Sequence, residues 1–258
     1  MLSIGKIKLS GESYYLDAVA EGVDEYYRGV GEAPGRWVGT ASRALDLDGE
    51  VDAGVLHAIW AGERPATWER LGRFPGREVA GFDLTFRAPK SVSLLAGLGD
   101  PDTVREVRDA HEAAVDAAMG YVERAATRSR TGKAGVNQIG VGGIVAAAFR
   151  HRTSRLGAPH LHTHLLVANM AEGADGVWRT LDARWLYLYG GTAGYLYEAH
   201  LRRELTARLG VEWGPITNGI ADIDGIDKGV RDHVSDRAKE IQEHLDEVHV
   251  HVGLAEAR

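Results

Sequence analysis

The 258-residue chain contains no cysteine. Disulfides, thiolate metal sites and cysteine nucleophiles are excluded together, which leaves His, Asp, Glu, Tyr and Ser for any chemistry. No apolar run reaches about 18 residues, and the N-terminal "MLSIGKIKLSGESYY" turns polar within a few positions. Neither a membrane span nor a secretory segment is expected, and the chain reads as cytoplasmic. Internal repeats and low-complexity linkers are also lacking. With 44% apolar and 26% charged residues, disordered, collagen-like and coiled-coil classes are poor descriptions, and one domain over residues 1–258 is expected. No phosphate-cradling G-x-x-x-x-G-K-[ST] loop is found, because "TGKAG" at Thr131 lacks both the leading Gly and the Ser/Thr.

One further absence is local. Although the net charge is −7, no Asp or Glu occurs between Arg124 and Ala171. Arg124, Arg128, Arg130, Lys133, Arg150, Arg152 and Arg155 make that window strongly cationic, and four of the eleven histidines fall within it. Phosphate binding depends on nearby charge more than on net charge, so such a window fits a confined groove for a polyanion. Charge alone is equally compatible with a solvated face.

Periodicity predicts alternating helices and strands. Glu12 to Tyr27 reads as a short helix broken near Gly22, and Asp52 to Ala61 as another. "VAGFDLTFRAPKSVS" holds a strand with Phe82, Leu84 and Phe86 on one face and Asp83 and Thr85 on the other. Asp100 followed by Pro101 opens an amphipathic helix with Val104, Val107, Val115, Met119 and Val122 at helical spacing, suited to covering one sheet face. Asn137 to Phe149 reads as a buried strand and "HLHTHLLVAN" from His160 as a second. The eight-residue link "RTSRLGAP" pairs them antiparallel and brings His151 beside the second strand. Helices are predicted from Thr192 to Gly210 and from Asp227 to Glu247. The expected class is α+β, an antiparallel β-sheet covered by helices.

His160, His162 and His164 alternate, so a strand puts all three rings on one face, and His151 arrives across the hairpin as a fourth. A three-imidazole metal site is geometrically available among them, against the bland reading of hydrogen-bonded, half-buried rings. Tyrosines form the second oddity, with adjacent pairs at Tyr14-Tyr15 and Tyr26-Tyr27. Neighbours on a helix diverge by about 100°, so one ring of each pair can pack while the other presents its hydroxyl. On tyrosines alone, packing is the favoured reading. A nucleophilic role requires a nearby cation or base, because an ordinary phenol titrates near ~10.

Taken together, "GFDLTFRAPKSVSLLAGLG", "FRHRTSRLGAPHLHTHLLVAN", the tyrosine pairs, "WRTLDARWLY" and "VSDRAKEIQEHL" resemble the relaxase domain of the helicase-linked class of conjugative relaxases, MobF/TrwC-like members of the HUH endonucleases. The resemblance spans nearly the whole chain. It implies an HUH-type palm and a divalent metal ion, Mg, Mn or Zn-like, held by His151, His162 and His164. It further implies Tyr14 as the nucleophile of the first nicking step, Tyr26 for a second strand transfer, and Asp83 as the acidic residue beside the metal. His160 departs from the usual pattern and is left out of the ligands, and Arg87 stands where a small residue is common. The implied reaction is nicking and rejoining of DNA at a plasmid or mobile-element transfer origin through a covalent 5′-phosphotyrosine. The partners would be single-stranded or hairpin-bearing DNA together with other relaxosome and conjugation proteins. No helicase domain is expected within these 258 residues. DNA-contacting candidates are Arg128, Arg130, Lys133, Arg150, Arg152 and Arg155 from the basic window, with Lys90 from the Ala-Pro-Lys-Ser motif.

Two alternatives are weighed against this. "HLHTHLL" approaches the signature of histidine-triad nucleotide hydrolases, but Thr163 breaks it and His151, Asp83 and the tyrosine pairs are left unexplained. A non-catalytic single-stranded DNA-binding or replication-initiation module would use the basic window and stacking aromatics, and would need neither metal nor tyrosine hydroxyl.

Overall fold

A computed structural model describes residues 1–8, 34–74, 76–154 and 157–234. Its centre is a five-stranded sheet built from β1 (Leu2–Lys8), β2 (Arg36–Val38), β3 (Val79–Arg87), β6 (Ala146–Thr153) and β7 (Pro159–Ala168). The order is β1-β3-β7-β6-β2, and every neighbouring pair is antiparallel. Between β3 and β6 in the chain, β4 (Arg128–Thr131) and β5 (Asn137–Gly140) form a separate two-stranded ribbon, as do β8 (Ala171–Glu172) and β9 (Trp178–Arg179) farther on. The architecture is α+β.

Strand alternation makes the sheet two-sided. Phe82, Leu84 and Phe86 of β3 face the same side as Leu161, Leu165 and Val167 of β7, and all six are buried. Each such side chain contributes about 2 kcal/mol by leaving water. That face is covered by α3 (Lys90–Leu98), α4 (Pro101–Ala126) and α5 (Arg184–Leu209), whose Val92, Val107, Val115, Val122, Leu201 and Leu205 complete the core. Helix α4 begins where its sequence specifies. The Asp100 carboxylate accepts from the backbone N–H of Asp102 and Thr103, both at 3.0 Å, and Pro101 takes the first helical position.

The opposite face carries a second apolar cluster. At one end Ala147, Phe149, Leu166 and Ala168 pack with Trp37, Leu56, Ile59 and Trp60, drawn from β2 and α2 (Ala53–Ala61) and flanked by α1 (Thr40–Ala44). At the other end the same rows of β6 and β7 switch from apolar side chains to His151, His162 and His164.

The structure departs from the sequence reading in three places. The strand expected over 137–149 is broken after Gly140. Gly143 adopts φ +139°, and a Cβ there would lie 2.7 Å from that of Thr40, so the chain leaves the ribbon and re-enters the central sheet at Ala146. Helix α5 starts at Arg184, eight residues before Thr192, and still ends at Gly210 in the left-handed conformation. β1 was not anticipated as a strand, because on the sheet edge it buries only Ile7 fully. The helix expected from Asp227 is present as α6 (Lys228–His233), capped by Asp227, and its continuation to Glu247 lies outside the described residues. The helix expected over 12–27 lies outside them as well. Among the described residues no helix is long and apolar enough to cross a membrane.

Candidate metal centre and active site

The cross-strand register assembles the centre. His151 of β6 stands directly opposite His162 of β7, and His164 follows two residues later on the same face. The three ring centroids lie 5.0 to 5.3 Å apart. One nitrogen from each ring falls within 4.8 Å of the others, and all three residues are buried.

Hydrogen bonds set which nitrogen each ring can offer. His162 Nδ1 lies 2.8 Å from the His160 carbonyl, which only accepts, so that nitrogen carries the proton and Nε2 keeps its lone pair. Nε2 in turn faces His151 Nδ1 at 3.3 Å. His164 Nδ1 lies 2.8 Å from Asp83 Oδ2, which fixes that ring in the manner common for metal-bound imidazoles. Thr85, opposite His164 in the β3–β7 register, donates its hydroxyl to Asp83 Oδ1 at 3.1 Å and braces the carboxylate. Burial drives the His162 pKa down to about 2, helped by the neighbouring histidines and opposed by the bond to the His160 carbonyl. Its imidazole is therefore neutral across the physiological range, the state a metal ligand requires. Neutral nitrogen donors converging on one point, one of them backed by a carboxylate, fit a divalent ion of the zinc or manganese kind.

His160 is outside this cluster. Its ring packs 4.7 Å from that of His162, and burial, followed by the charges of Arg87 and Lys90, lowers its pKa to about 4. The Ala-Pro-Lys-Ser-Val-Ser corner after β3 holds the start of β7 in place. Ala88 N–H donates to the Leu161 carbonyl, Leu161 N–H to Ser93 Oγ, and Lys90 Nζ to the Pro159 carbonyl at 2.9 Å.

The remaining site residues are dispersed. Tyr14, Tyr26 and Arg155 lie outside the described residues. Lys133 is exposed on the β4–β5 ribbon. On the same ribbon Arg128 lies over the Trp185 ring and Arg130 pairs with buried Asp182 at 3.1 Å. Arg150 stands opposite Thr163 on the helix-covered face, where it pairs with Glu112 of α4 at 2.5 Å. Arg152 follows His151 at the end of β6 and is half-buried. The cationic window is thus split between the ribbon, the strand ends and the far side of the sheet. Sequence reasoning missed Thr85 as a brace, although its place two residues from Asp83 put it on the right face. It also missed His111, a lone histidine on α4 that carries no pattern.

A buried imidazole triad at one end of an antiparallel sheet, with one ring held by a carboxylate, defines a metal-centre protein of the α+β class. The chain belongs to the TrwC relaxase family, whose model matches residues 8–258. It is 34% identical over 213 residues to the multifunctional conjugation protein TraI of Escherichia coli K12, covering 81% of this chain. The chain spans only 11% of the length of that relative. The metal-bound structure of conjugative relaxase TrwC with oriT DNA is 31% identical, with a TM-score of 0.79, covering 94% of this chain and 82% of that one. TrwC complexed with a 27-mer DNA comprising the recognition hairpin and the cleavage site gives 30% and 0.78, over 94% of this chain and 81% of that one. The histidine-triad hydrolase alternative falls with this assignment.

Proposed function

We propose that this chain nicks and rejoins one DNA strand at a transfer origin by metal-dependent transesterification, through a covalent 5′-phosphotyrosine. The observation that carries the reading is the buried triad of His151, His162 and His164 with Asp83 on His164, in a chain of the relaxase family. The triad would hold a divalent ion, Mg, Mn or Zn-like, which supplies charge withdrawal from a non-bridging phosphate oxygen. Asp83 and Thr85 keep the His164 ring in one orientation, and the His160 carbonyl does the same for His162. Tyr14 is the proposed nucleophile. Its hydroxyl oxygen gives up its proton and bonds to phosphorus, the bond to the 3′-oxygen breaks, and that oxygen takes up one proton and leaves as a 3′-hydroxyl, so protons balance. One phosphodiester replaces another, so the step is nearly isoenergetic and the strand can be resealed without a nucleotide cofactor. Tyr26 is the candidate for a second transfer.

The DNA partner would be single-stranded or hairpin-bearing, as in the TrwC complexes, with other relaxosome proteins alongside. The proposed setting is the bacterial cytoplasm, with residues 1–258 as one nicking domain that can leave attached to the DNA 5′ end. The test is incubation with labelled single-stranded oligonucleotides tiled across the DNA flanking the coding region. A protein–DNA band that survives denaturation is expected, and Tyr14→Phe should lose it while keeping DNA affinity. Absence of any such band with metal supplied would overturn the reading.

A further inference from the structure

Next to the triad, the sheet end opens into a cleft of about 640 Å³. Arg87 and His160 line it from the strand ends, Lys90 from the start of α3, and Asp222, Lys228, Arg231 and Asp232 from the segment around α6. Arg87 stands opposite His162 in the β3–β7 register, and strand alternation puts it on the face of Asp83, Thr85 and the triad. The cleft therefore adjoins the candidate centre, with the His160 ring that lines it 4.7 Å from the ring of His162.

Its charges are unequal in status. Arg231 is paired with Asp222 at 2.9 Å, and Lys228 is paired with Asp232, so the α6 side neutralises itself. Among the described residues no carboxylate lies within ion-pair distance of Arg87, which is half-buried and held through its backbone by Met1. Lys90 is fixed nearby by the Pro159 carbonyl. A half-buried guanidinium that meets no carboxylate among the described residues, with an ammonium nearby, is chemically suited to an oxyanion such as a phosphate.

We propose that Arg87, with Lys90, seats the phosphodiester linkage neighbouring the scissile one. The inference rests on the relaxase reading and deepens it, because the cleft then fixes the register of the strand across the metal centre. Phosphate contacts position the strand without reading its sequence, and Arg87 is accordingly a positioning residue.

The experiment compares wild type, Arg87→Ser and Arg87→Lys, each shown to be folded by its urea midpoint and to bind one equivalent of metal. Affinity for fluorescein-labelled oligothymidylate is measured across salt concentration. Arg87→Ser should flatten the slope of log affinity against log salt by about 0.7, and Arg87→Lys should retain it. On an oligonucleotide that wild type cleaves, neutral methylphosphonate linkages are then placed singly on either side of the cut. Wild type should be slowed at one neighbouring linkage, and Arg87→Ser should be indifferent there. An unchanged salt slope, or an Arg87→Ser protein as sensitive as wild type at every linkage, overturns the proposal. If wild type binds oligothymidylate but forms no covalent adduct with any tiled sequence, the relaxase reading fails, while the slope still decides whether Arg87 contacts phosphate.

Discussion

His111 and His162 lie on opposite sides of the central sheet, each buried and each with its pKa pushed down, to about 3 and about 2. In both cases burial is the largest cause. Their hydrogen bonds separate them. His111 Nδ1 meets the Tyr197 hydroxyl and Nε2 the Thr163 hydroxyl, both at 2.8 Å, so both ring nitrogens have partners that can donate or accept as required. His162 has one nitrogen on a carbonyl and the other facing a second imidazole, with a third alongside. Burial and a depressed pKa therefore do not mark a site. Convergence does, because three buried rings that each bring one nitrogen to a common point, two of them with the other nitrogen held by an oxygen, form the donor set a cation takes.

The contrast breaks most sharply under substitution. His162→Ala should abolish metal binding and reduce nicking by at least about a thousandfold while leaving the urea midpoint near wild type, since a polar ring is removed from a site it shares with other imidazoles. Chelation of the wild type should have the same effect on nicking. Residual nicking after exhaustive chelation would remove the metal centre from the mechanism. His111→Ala should do the reverse. It strands the Tyr197 and Thr163 hydroxyls in the core and should cost about 3 kcal/mol in urea unfolding, while metal still binds with unchanged stoichiometry.

The same histidine gives a pH signature. The unfolded chain takes up a proton on His111 near 6.5, whereas the folded chain refuses it until about 3. The unfolded state thus holds more protons in that interval, and stability falls as pH drops, by about 1.4 kcal/mol per pH unit for this group. His111→Gln should make the plot of unfolding free energy against pH less steep by that amount between pH 6 and 4. An unchanged slope would show that His111 is not the neutral, fully bonded ring described above.

Third in size is the support of the centre. Asp83→Asn removes the charge that fixes His164 Nδ1–H and should weaken metal affinity by about 10- to 100-fold, measured by competition with a chromogenic chelator, with nicking partly recovered at high metal. Recovery distinguishes a positioning role from proton transfer, which added metal would not restore.

Much of this centre was legible in the sequence, for a physical reason. The His-x-His period and a short link back to His151 are local features, and a hairpin turns them into a cross-strand pair without help from the rest of the fold. Asp83 was likewise placed by alternation alone. What could not be read depended on distant contacts. Gly190 looks like a helix breaker, yet it sits inside α5, where β1 passes so close that a Cβ at that position would lie 2.8 Å from Ile4 Cδ1. The buried Ser91 and Ser93 similarly gain meaning only from their partners. Ser91 Oγ accepts from Ile223 N–H, and Ser93 Oγ from Leu161 N–H.

The basic window gives the smallest and most discriminating effect, because its residues share composition but not location. Arg128, Arg130 and Lys133 belong to the β4–β5 ribbon, which stands apart from the central sheet, whereas Arg150 points into the helical layer toward Glu112. If the ribbon meets DNA phosphates, neutralising its three cations together should flatten the slope of log affinity against log salt by about 2, at ~0.7 per phosphate on a single strand. Arg150→Ala should leave that slope unchanged, because its guanidinium lies on the side of the sheet away from the triad. Its loss should be felt in stability, where Glu112 is left without its partner, by about 1 kcal/mol or less given the half-exposed carboxylate. A slope that falls for Arg150→Ala and not for the ribbon triple variant would place the DNA path along the helical face, and the division drawn between the two faces of the sheet would have to be reversed.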